Sequence, residues 1–148
     1  MKNLLLTLAL TATLLLHGGG AAAQDQPGQY KAGDTRQVKA FCAKQEEYLE
    51  LVAAHKQGGI LAATELWKQK IRDTASTCYL FPPNPGAQWV LLLDQLYIFE
   101  FPKDGSRLRL WRVQAIEPGF IMFLQREFET DIVFYMSWEK MPETLPDA

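Results

Sequence analysis

FCAKQEEYLELVAAHKQGGILAATELWKQKIRDTASTC, residues 41–78, sets two cysteines on either side of a Gly-Gly pair. Cys42 stands 16 residues before Gly58, and Cys78 stands 19 residues after Gly59. Val38, Phe41, Cys42, Gln45, Tyr48, Leu49 and Val52 recur at three- and four-residue steps, the spacing of one helix face. Asp34 and Gln37 have the spacing of an N-terminal capping pair for that helix. Gly58 suits the left-handed residue that ends a helix, and Gly59 loosens the turn. Beyond the turn, Ile60, Ala63, Trp67, Ile71, Thr74, Ala75 and Cys78 form a second stripe over 60–77. At 1.5 Å per residue the sulfurs lie roughly 24 and 28 Å from the turn, less than one helical turn apart in level. The pattern therefore predicts an antiparallel helical hairpin over 34–78, stapled by a Cys42–Cys78 disulfide. A redox dithiol is the weaker reading, because such pairs sit close together in sequence as Cys-x-x-Cys.

The N-terminus supports an oxidising destination for those cysteines. Lys2, the apolar run Leu4 to Leu16 and the small residues Ala21-Ala22-Ala23 have the three parts of an export signal. Cleavage near Ala23 predicts a mature chain from Gln24, in the periplasm or secreted, with no integral membrane span. Residues 24–33 read as a flexible lead-in and 141–148 as a flexible tail, leaving one domain over 34–140. Formal charge is −2, and −3 without Lys2, so no basic surplus exists to neutralise phosphates and nucleic acid is not an expected partner.

After Phe81-Pro82-Pro83-Asn84-Pro85-Gly86, which cannot continue a helix, the pattern turns strand-like over 88–138. Eleven of the 17 aromatic residues lie from Trp89 to Trp138, so the large rings belong to this half. Strands are expected at Trp89–Leu93, Gln95–Phe101, Arg107–Ala115, Phe120–Leu124 and Ile132–Trp138. Asp94 marks a break, Lys103-Asp104-Gly105-Ser106 a hairpin turn, Leu110-Trp111 a bulge and Glu117-Pro118-Gly119-Phe120 a type II turn. The expected fold is α+β: the stapled hairpin, then a curled antiparallel meander of four or five strands.

Chemistry is sparse in this sequence. One histidine, His55, follows the signal, which excludes a multi-histidine metal site of this chain's own residues, and no metal or cofactor is expected. Near a helix C-terminus, His55 reads as a dipole partner. Glu100, between Phe99 and Phe101, and Glu117 are the carboxylates to test as a glycan-hydrolysing pair, with Glu127, Glu129 and Asp131 nearby in sequence. The best recognition feature is the strand carrying Arg107, Arg109, Trp111 and Arg112, since Arg and Trp dominate interface hot spots. These readings predict a non-catalytic module that binds another envelope or extracellular protein, with the Arg-Trp strand exposed. The alternative is a glycan hydrolase or small-ligand binder using Glu100 or Glu117.

Overall fold

The computed structural model describes residues 30–141; the expected export signal, residues 24–29 and the tail beyond Met141 lie outside the described residues. The elements are β1 (Thr35–Val38), β2 (Ala40–Cys42), α1 (Gln45–Arg72), β3 (Cys78–Leu80), β4 (Gln88–Phe101), β5 (Ser106–Ala115), α2 (Pro118–Phe128) and β6 (Ile132–Lys140). The strands form one antiparallel sheet in the order β1-β4-β5-β6-β2-β3. β1 and β2 are consecutive in the chain, yet β1 pairs with β4 and β2 pairs with β6. The sheet therefore curls until the single segment 35–42 touches both of its ends. Four antiparallel members, 35–42 with β4, β5 and β6, can close in this way because an even number keeps every neighbour antiparallel.

The interior of the curl holds Val38, Phe41, Val90, Leu92, Trp111, Val113, Ala115 and Val133. α2 adds Phe120 and Leu124 to this core. Phe41 is fully buried, and the rings of Tyr79, Phe81, Phe120, Phe123 and Phe128 surround it with centroids 5.4 to 6.5 Å away. Truncating such a ring to alanine costs about 3–5 kcal/mol.

The expected pair of helices over 34–58 and 60–77 is corrected. Val38 and Phe41 do share an environment, but the chain reaches it as two short strands bent at Lys39. The bend resets the alternation and leaves a three-residue step that imitates a helix. Asp34 is no cap: its carboxylate accepts the Lys31 N–H at 2.9 Å. The expected flexible lead-in is ordered where described, since Gly33 N donates to Leu92 O at 2.8 Å. The disulfide forms as predicted but joins strands: Cys42 and Cys78 are direct partners across β2 and β3, with Cα atoms 3.9 Å apart.

α1 itself is interrupted at Gly59 (φ 74°, ψ −169°). In a straight helix residues 50 and 70 would lie roughly 30 Å apart. Here Lys70 Nζ sits 2.6 Å from Glu50, and the Tyr48 and Trp67 rings stack with centroids 6.2 Å apart. The two arms, 45–58 and 60–72, thus run back against each other. Both glycines have a reason: a Cβ on Gly58 would meet Ala62 Cβ at 2.7 Å, and Gly59 holds a backbone conformation almost confined to glycine.

In the second half, the strands expected on either side of Asp94 are one 14-residue strand, β4. Its register against β5 slips between Leu92 and Asp94 and between Gln95 and Tyr97. The irregularity expected at Leu110-Trp111 therefore lies in the opposing strand. The expected strand Phe120–Leu124 and its type II turn are the helix α2. Pro118 begins it, and Phe120, Leu124 and Phe128 follow at helical four-residue steps.

Gly59→Ala should lower the unfolding free energy by about 1–3 kcal/mol, read from urea denaturation, while Ala53→Gly on the exposed face of the first arm should cost only about 1 kcal/mol. The disulfide, with both sulfurs buried, should leave no thiol to label in the unreduced, denatured protein. Replacing both cysteines by alanine should cost about 4 kcal/mol in chain-entropy terms.

Candidate functional site

The Arg-Trp strand is exposed only at Arg112; Arg107 and Arg109 are half-buried. Trp111 is 2% exposed and belongs to the interior of the curl. β5 lies between β4 and β6, so register sets polar partners on both sides of Arg107 and Arg109 and on the β4 side of Arg112. Arg107 stands between Glu100 and Glu139 at 2.9 and 3.3 Å. Arg109 Nε donates to the buried Glu139 at 2.9 Å and its Nη1 to Gln95 at 2.8 Å. Arg112 Nε donates to Asp94 at 2.8 Å. These guanidinium groups hold the sheet together and offer no unpaired charge to a partner.

Glu100 and Glu117 are not a pair either. Glu100 faces Arg107 at one end of β5, and Glu117 follows Ala115 at the other. The eight strand steps from Arg107 to Ala115, roughly 26 Å, lie between them, well beyond the 5–9.5 Å of a glycosidase pair. Among the others, Glu127 accepts from Arg126 at 2.8 Å and Asp131 from Gln114 at 3.0 Å.

A broad concavity lies where the curl fails to close. β2 meets β6 at one position only, Cys42 opposite Phe134, and beyond it the two banks diverge. Arg36, Gln37, Lys39 and Ala40 line one bank; Tyr135, Met136 and Trp138 line the other. The arms of α1 lie alongside and contribute Tyr48, Leu51 and His55 from the first, and Ile60, Ala63, Thr64 and Trp67 from the second. The groove has a volume of ≈560 Å³. Its walls are chiefly aromatic and aliphatic, with few polar groups, the make-up of a binding cleft. Trp138 is 58% exposed here, and Ile60 is 50% exposed.

The formally charged side chains lining the groove, Arg36 and Lys39, are both cationic. The Arg36 guanidinium lies 4.2 Å from the Tyr30 ring and 5.5 Å from the Tyr135 ring, which orient it without neutralising it. No carboxylate among the described residues comes within ion-pair distance of Arg36 or Lys39. Burial pushes the Tyr48 phenol far above its ordinary range, the neighbouring Tyr135 adds to this, and a backbone hydrogen bond with Met136 opposes it. Burial likewise raises Tyr135, with Arg36 opposing. Both phenols are neutral at physiological pH and act as hydrogen-bonding walls.

His55 ends the groove. It is buried rather than solvated at a helix end, its ring centroid 3.8 Å from that of Phe101. Its Nε2 lies 3.1 Å from Asp104 Oδ2, off the angle of a hydrogen bond. On its far side a second hollow of ≈370 Å³ is lined by Lys56, Glu100, Lys103 and Asp104.

Glu47 and Lys70 fix the outer arm. Lys70 reaches both Glu50 and Glu47, at 2.6 and 3.7 Å. Glu47 accepts from Ser76 Oγ at 2.6 Å, from Thr77 N at 2.8 Å and from the Thr77 hydroxyl. Burial alone would raise the Glu47 carboxyl, but these donors and Lys70 outweigh it and hold it below the ordinary glutamate value. Cys42, Cys78 and Glu47 lie within 4.8 Å of one another, but sulfurs joined in a disulfide are not the thiolates that bind metal.

No protein family, curated protein or solved structure was found to match this chain.

A depressed carboxyl stabilises the fold above its unfolded value, near pH 4.5, and loses that contribution as pH falls through its folded value. Glu47→Gln should therefore cost about 1.5–3 kcal/mol at pH 7. Between pH 5 and 3 the variant should lose less stability than the parent, seen as converging thermal midpoints.

Proposed function

We propose that this protein is an exported, non-catalytic interaction module that takes part of another envelope or extracellular protein into the groove between α1 and the open seam of the sheet. Inhibitor, immunity and envelope-accessory roles all fit this reading. The observation that carries it is the unclosed seam itself, because an apolar cleft with two cations that no carboxylate among the described residues pairs is left open where pairing would otherwise complete the curl. The disulfide is compatible with an extracellular or periplasmic location. No helix among the described residues is long and apolar enough to cross a membrane. The arginine-rich strand is no part of the proposal, since its charges are already matched within the sheet.

A photo-crosslinking amino acid placed at Leu108, inside the groove, should yield a discrete protein adduct in the native envelope or secretome. The same group at Met122, 72% exposed on α2, should not. Equal adducts from both positions, or none from Leu108, would remove the groove as the binding element.

A further inference from the structure

The backbone of β6 says how a polypeptide would sit in this groove; the inference rests on the reading of the groove as a protein-binding site. Asp131 O accepts from Ala115 N at 2.9 Å, and Met141 N donates to Gly105 O at 2.8 Å. The odd-numbered residues therefore turn their main-chain groups toward β5. By strand alternation, the even-numbered Phe134, Met136 and Trp138 turn theirs toward the groove. Phe134 meets Cys42 there, and Met136 shares a hydrogen bond with the Tyr48 hydroxyl. Among the described residues no strand pairs with Trp138 on that side. β6 is thus covered at Phe134 and at the Met136 N–H, and from Trp138 onward presents an edge unpaired by any described strand beside an apolar wall.

We infer that the seam accepts an extended, acidic peptide segment as an added strand along β6. An added strand has two faces. One would lie against the α1 side, where Met136, Trp138, Ala63 and Trp67 form an apolar surface. The other would lie toward Arg36, which stands by Tyr135 on the interior face and has no carboxylate among the described residues. A segment alternating apolar and acidic residues meets both conditions, with main-chain bonds supplying affinity and the two faces supplying selectivity. An uncharged or basic strand would leave Arg36 and Lys39 unmatched or repelled.

The test uses a fluorescein-labelled hexapeptide of alternating valine and glutamate, followed by fluorescence anisotropy with the disulfide-intact protein. Saturable binding is expected. N-methylating the amides of one edge, which removes about two main-chain hydrogen bonds, should weaken it by about ten- to thirtyfold. A valine-lysine counterpart should bind at least about tenfold more weakly, and so should the valine-glutamate peptide to an Arg36→Gln, Lys39→Gln variant with an unchanged unfolding midpoint. No saturable binding up to millimolar peptide overturns the proposal, as does indifference to N-methylation. Laurate binding with the same cation dependence, in place of the peptide, overturns it as well and makes the groove an amphiphile site. If the Leu108 crosslink persists while the hexapeptide fails, the strand-addition inference falls and the interaction module stands. If both fail, both fall.

Discussion

The structure depends on one short segment serving two ends of a sheet. Residues 35–42 pair with β4 through their first half and with β6 through their second. This forces a tight curl, and the curl makes an interior narrow enough for Phe41 and the β5 side chains Trp111, Val113 and Ala115 to fill. It also requires the bend at Lys39 that sends Val38 and Phe41 to the same side. The sheet pairs β2 with β6 at a single position, and the groove is the remainder.

α1 and the disulfide follow from the same constraint. The second half of the bridging segment runs straight into the helix, and the helix returns through Ser76 and Thr77 to pair as β3. Glu47 collects the donors of that return, so the exit of the helix is tied to its first turn. Tyr48 and Trp67 then stack across the two arms. The cluster of Cys42, Tyr48, Leu51, Cys78 and Leu110 is a second, smaller core on the outer side of the sheet. The protein therefore has two apolar layers separated by the thickness of one sheet, and the groove opens at the edge where both become reachable.

Much of this was readable in the residues and some was not, for identifiable reasons. The pairing of Cys42 with Cys78, the reversal at Gly58-Gly59 and the turn before Ser106 are local or chemically singular, and the chain signals them directly. Val38 and Phe41 misled because a bent strand and a helix both produce a three-residue step. Phe120 to Leu124 misled because a continuous apolar run has no visible period; the four-residue spacing to Phe128 was the available correction. The arginines of β5 looked like a binding strip because their partners, Glu100 on β4 and Glu139 on β6, are set by a register that no single segment reveals. Arg36 and Lys39 carried no signal at all. They matter only because the fold-back of α1 and the divergence from β6 bring an apolar wall beside them.

The cross-strand disulfide encloses the whole of α1, entering just before it and leaving just after. The exposed Gly58 and the neighbouring Gln57 form its outer tip, the kind of loop end that proteases reach. A cut there would divide the polypeptide without releasing either piece, because the bridge lies on the sheet side of the break. The strand order and the interior of the curl would keep their connectivity, while the two arms would become independent flaps. This placement makes the scaffold tolerant of scission at an exposed point of the chain.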